Sequence, residues 1–136
     1  MTFLLNLITA AVLYGTPLLY GTSGEILTEK SGNLNLGVEG MMSIGACAGF
    51  MVGYQTDNFV AALLAAAVAG MLSALIYGVL TVTFMANQNV TGLTLTIFGV
   101  GLANFIGVFM LEKSENGTLK LPDAVTAQMR NIHIPG

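Results

Sequence analysis

Apolar residues fill four long blocks of the chain, at residues 1–20, 34–53, 59–85 and 90–111, and polar residues gather at the joints between them. A helix needs about 20 apolar residues to cross a hydrocarbon core. The pattern therefore predicts an all-α, polytopic transmembrane helix bundle with about four spanning helices. Residues 1–136 form one transmembrane domain, with a polar interfacial link at 21–33 and a polar tail at 112–136. The first block carries Asn6 and Pro17, and Pro17 is expected to kink the helix or end it early, because proline lacks a donor and crowds the preceding turn. No Lys or Arg precedes Lys30, so this block is expected to stay in the mature protein as a helix and not to act as a secretory signal.

The link reads GTSGEILTEKSGN. A short interfacial helix from Ser23 to Lys30, broken by Gly32, fits it, and so does a solvated loop. Beyond it the second block is long enough to span only if its helix begins near Leu34 and carries Glu39 inside. In such a helix Asn35 and Glu39 share one face, with Gly37 and Gly40 leaving the backbone open beside them. A carboxylate at the edge of hydrocarbon marks a polar path through the membrane, or else partners the positive end of the helix dipole. Both readings stay open.

Small residues recur along the later blocks. Gly45, Gly49 and Gly53 are four apart, Ala62, Ala66, Gly70, Ala74 and Gly78 repeat the spacing, and Gly92, Thr96, Gly99, Ala103 and Gly107 continue it. Faces of this kind let helix backbones approach closely in lipid. The bulky row Leu63, Met71, Leu75 and Val79 is expected to face lipid or a second packing layer. Asp57 or Asn58 can cap the third helix. Ala86 to Asn89, reading ANQN, is a turn at the water boundary or a polar patch lining a cavity. Asn104 is read as an interhelical hydrogen bond rather than a substrate ligand, and Glu112, Lys113 and Glu115 close the last helix.

Composition narrows the chemistry. Of 136 residues 54% are hydrophobic and 8% charged, with a net charge of −3, against about a quarter charged in soluble domains. No basic patch suggests nucleic acid. Cys47 is alone in an apolar run and is read as a packing residue, and His133 is alone in the tail, so no metal site, cofactor or catalytic residue is assigned. The sequons at Asn89 and Asn116 carry no weight without a secretory setting. Four cations, three of them in the tail, are too few to fix orientation.

The stretch TPLLYGTSGEILTEKSGNLNLGVEGMMSIGACAGF, followed by ANQNVTGLTLTIFGVGL, resembles the permease subunits of bacterial ABC importers, in the branch that serves nucleosides and simple sugars. Branched-chain amino acid permeases share the broader architecture. The resemblance runs from about Leu13 to the terminal IHIPG. It implies packed transmembrane helices in the inner membrane, a substrate path between permease subunits, and three partners: an ATP-binding subunit, a second permease subunit and a substrate-binding lipoprotein. No GxxxxGK[ST] sequence is present, so ATP is expected to be handled by a partner. Asn35, Gly37, Glu39 and Gly40 match the family's NLGVEG segment, and Asn87, Gln88 and Gly92 its ANQNVTG segment. These are candidates for the substrate path or for helix ends. Such permeases are about twice as long, so the resemblance also implies a truncated chain or helices supplied by another polypeptide. A small homo-oligomeric channel and a structural membrane subunit are the competing functions.

Overall fold

The computed structural model describes residues 2–114 and 118–130; His133, Glu115, the Asn116 sequon and the terminal IHIPG lie outside the described residues. Helix α1 runs Thr2–Lys30, α2 Val38–Thr56, α3 Phe59–Gly78, α4 Gln88–Lys113 and α5 Asp123–Arg130. A π-helical turn, Val79–Thr83, extends α3.

The 29-residue α1 corrects two expectations. Pro17 neither ends it nor separates it from the link, and the helical part of the link, residues 21–30, is its last turns. Backbone polar groups in lipid have no alternative partner, so a helix persists through a proline there. Hydroxyls on either side bond back within the helix instead of outward: Thr16 Oγ1 donates to the Val12 carbonyl at 2.6 Å and Thr22 Oγ1 to that of Leu18 at 2.8 Å. The chain turns at Ser31 and Gly32, where Gly32 takes φ +87°, a value glycine adopts without Cβ strain.

Helix α2 starts at Val38, not near Leu34, so Asn35 lies outside it and does not share a helical face with Glu39. The Asn35 side chain accepts a hydrogen bond from the Gly37 N–H at 2.9 Å, a local turn that competes with helix formation. At the far end, Asp57 closes α2 in the left-handed region. Asn58 caps α3, its Oδ1 accepting from the N–H groups of Val60 and Ala61 at 2.9 and 3.4 Å. Asn87 caps α4 likewise, accepting from Asn89 and Val90.

Helix α2 is the centre of the bundle, and glycine puts it there. A Cβ on Gly49 would stand 2.9 Å from the Ala66 Cβ, and one on Gly45 3.1 Å from the Ala66 carbonyl oxygen. Gly53 faces Ala62. As α2 ascends α3 descends, so the two are antiparallel. Against α4 the order is parallel: Gly37 lies at Gly92, and Gly40 at Leu95, Thr96 and Gly99. A Cβ on Gly40 would run into the Leu95 carbonyl. Gly78 and Gly107 have open space where a Cβ would stand, so any close approach they serve is not with another of the described residues. Leu63, Met71 and Leu75 are exposed on α3 and Val79 on its π-helical extension, and Asn104 is exposed on α4, away from the interhelical bond expected of it.

Three helices are long and apolar enough to cross a membrane among the described residues: α1, α3 with its π-helical extension, and α4. The 19-residue α2 runs between α3 and α4 and completes the bundle. The tail holds more structure than its weak periodicity announced. In α5, Val125 is 1% exposed, and Gln128 Oε1 accepts from the Phe59 N–H at 2.9 Å, at the amino end of α3.

Candidate functional site

Because α2 starts late, residues 33–37 cross into the bundle as non-helical backbone. Gly37 meets Gly92, and the Leu36 carbonyl accepts from Thr96 Oγ1 at 2.7 Å, eight residues into α4, or roughly 12 Å along its axis at 1.5 Å per residue. Backbone at such depth is stable only when its polar groups are matched, since each orphan in hydrocarbon costs several kcal/mol. Side chains from three helices supply the match. From α1, Glu25 Oε1 accepts the Asn35 N–H at 2.7 Å. From α3, Tyr77 OH donates to the Leu34 carbonyl at 2.7 Å. From α4, Gln88 Oε1 accepts the Leu34 N–H at 2.9 Å while its Nε2 donates to Asn33 Oδ1 at 2.7 Å. Among the described residues no buried side-chain N or O atom lacks a partner.

Beside this loop, between α1 and α2, lies a cavity of about 730 Å³. Thr22, Glu25 and Glu29 line it from α1, Asn35 from the loop, and Glu39 and Ser43 from α2. Leu18, Met42 and Ala46 complete its apolar wall. Its volume falls within the range of small-molecule sites, and its carboxylates and hydroxyls can accept and donate hydrogen bonds to a polar solute. Among the described residues no group of three or more His, Cys, Asp or Glu side chains is arranged to hold a metal ion.

The four candidates from the sequence separate here. Asn35 is buried in the loop and Glu39 sits exposed in the first turn of α2, both on the cavity wall. Asn87 caps a helix, and Gln88 grips the loop; neither lines the cavity. Sequence reasoning missed Glu25, Glu29, Tyr77 and Thr96. A signal existed for the first two: once α1 is continued through Pro17, Leu18, Thr22, Glu25 and Glu29 fall on one helical face. Tyr77 and Thr96 reach the loop across 43 and 60 residues of sequence, and no local pattern announces them.

Residues 4–130 match the protein family described as the permease component of the branched-chain amino acid transport system. The chain belongs to this family. Family membership and its apolar helices make it a multi-pass protein of the inner membrane. Among curated relatives it is 34% identical over 135 residues to a protein of Haloferax volcanii provisionally named a glucose ABC transporter permease, covering 99% of this chain and 41% of the relative. It is 32% identical to the guanosine ABC transporter permease protein NupQ of Bacillus subtilis, over 86% of this chain and 38% of the relative. With the nucleoside ABC transporter permease protein NupC of Lactococcus lactis it shares 31% identity, over 79% of this chain and 35% of the relative. The chain thus spans about two fifths of the length of these relatives. No solved structure is significantly similar to it.

Proposed function

We propose that this chain is part of the permease component of an ATP-driven ABC importer for nucleosides or simple sugars, and that the cavity between α1 and α2 belongs to the solute path. Membership of the permease family carries the reading, and the named substrates of the three relatives, glucose, guanosine and nucleosides, favour neutral ring compounds rich in hydroxyls. The cavity suits that class: Glu25, Glu29 and Glu39 offer acceptors to sugar hydroxyls, Thr22 and Ser43 offer hydroxyls of their own, and an anionic solute such as a sugar phosphate would meet three carboxylates. The partners are an ATP-binding subunit that performs hydrolysis, a second permease subunit and a substrate-binding lipoprotein. The chain itself has no enzymatic role in this scheme.

Expression with its neighbouring genes, purification in mild detergent and reconstitution into vesicles test the proposal. The expected result is recovery with an ATP-binding subunit and ATP-dependent uptake of labelled nucleoside or sugar. Glu39→Gln is expected to raise the KM for the transported solute about three- to tenfold with assembly unchanged, the loss of one charged hydrogen-bond acceptor. Solute flux without ATP from a homo-oligomer of this chain would overturn the importer reading. Unchanged uptake by Glu39→Gln would remove Glu39 from the path and leave it as a helix-end residue.

A further inference from the structure

Among the described residues, helix α1 has no buried residue and is held to the rest of the bundle at few places. Gly21 rests against Met42, where a Cβ would stand 2.9 Å from the sulfur, and against Val38. One helical turn further, Glu25 Oε1 accepts the Asn35 N–H at 2.7 Å. The covalent connection follows at Ser31 and Gly32, with Gly32 in the left-handed region and open space around it. Helix α1 is thus one wall of the cavity, hinged at its carboxyl end, where the Asn33 N–H donates to the Thr28 carbonyl at 3.0 Å, and beyond that turn, among the described residues, hydrogen-bonded to the loop through one side chain, Glu25. The other fasteners of the loop, Tyr77, Gln88 and Thr96, come from α3 and α4 and hold it independently of α1.

We propose that Glu25 is a latch: its hydrogen bond to the Asn35 N–H joins α1 to the fixed loop, and release of that bond lets α1 swing about Gly32 and widen the cavity between α1 and α2. The loop is the fixed post because three side chains from elsewhere pin it. Glu25 is the moving part, oriented by Thr28, whose Oγ1 donates to Glu25 Oε2 at 3.1 Å. Motions that open a site in this way pivot on a few terminal or loop residues that absorb the backbone change. The latch holds whether or not the cavity carries the transported solute, and its test does not use transport.

The test is the rate at which an aqueous maleimide labels a cysteine placed on the cavity wall, Ser43→Cys in a Cys47→Ala background, with the protein in detergent or vesicles. Glu25→Ala is expected to raise the labelling rate at least fivefold. Glu25→Gln, whose amide oxygen still accepts from the Asn35 N–H, is expected to stay within twofold of the parent. Thr28→Val, which leaves Glu25 in place but frees its orientation, is expected to lie between them, and it serves should Glu25→Ala fail to accumulate. Equal labelling in the parent and both loosened variants would overturn the latch. So would a rise in Glu25→Gln as large as in Glu25→Ala, which would assign the effect to charge instead of the bond. Absence of ATP-dependent uptake by the unsubstituted protein, assembled with its partners, with this labelling pattern intact would sink the transport reading and leave the latch standing.

Discussion

The glycines divide by what stands where a side chain would be. At Gly40 and Gly99 the space is already filled by the backbone of the facing helix, with Gly99 placing a Cβ 2.5 Å from the Gly40 carbonyl oxygen. Alanine at either position must separate α2 from α4, and overpacking of this kind costs about 1–3 kcal/mol. Gly40→Ala is therefore expected to lower the apparent melting temperature in detergent and to reduce the yield of monodisperse protein. Gly107 has open space and a helical backbone, so Gly107→Ala is expected to be neutral or to stabilise the isolated chain by up to roughly 1 kcal/mol through helix propensity. If the same substitution weakens only the assembled transporter, the face belongs to a subunit contact. Gly99 and Gly107 both sit on the repeating small face of α4, and the sequence could not tell them apart, because that repeat records closeness to some helix without saying which.

Among the elements, the recessed start of α2 decides the most. Tyr77 OH on the Leu34 carbonyl and Gln88 on both Leu34 and Asn33 hold the segment that a continued helix would otherwise occupy. Tyr77→Phe removes one donor and leaves a carbonyl short of a partner, a loss of about 1–3 kcal/mol, with Gln88→Ala expected to be the more damaging since it removes two bonds. Thermal unfolding of the two variants beside the parent checks the order. The helices and the small faces were legible in the sequence because period and residue size are local properties. The start of α2 was not, since it depends on Asn35 bonding Gly37 and on three distant side chains receiving the displaced backbone. Pro17 misled for a related reason: its missing donor and its ring clash cost the same in either medium, but ending the helix in lipid would orphan several more backbone groups, so the helix continues.

At the scale of the molecule, α1, α3 and α4 present apolar side chains outward along most of their length. In a bilayer these are solvated, and a charge among them is expensive. Leu72→Arg, outward on α3, is expected to cost about 2.5–3.5 kcal/mol of insertion free energy near the membrane centre, visible as a fall in the membrane-inserted fraction. Where α2 stops short, polar groups take over from hydrocarbon contacts, and the bundle trades a regular ladder for bonds to individual side chains. That trade has a kinetic consequence. Amide protons in a ladder exchange with solvent together, when a whole turn opens, whereas those of Leu34 and Asn35 are guarded separately, the first by α4 through Gln88 and the second by α1 through Glu25. Two neighbouring amides thus act as two clocks, and the ratio of their deuterium uptake would report which helix lets go first.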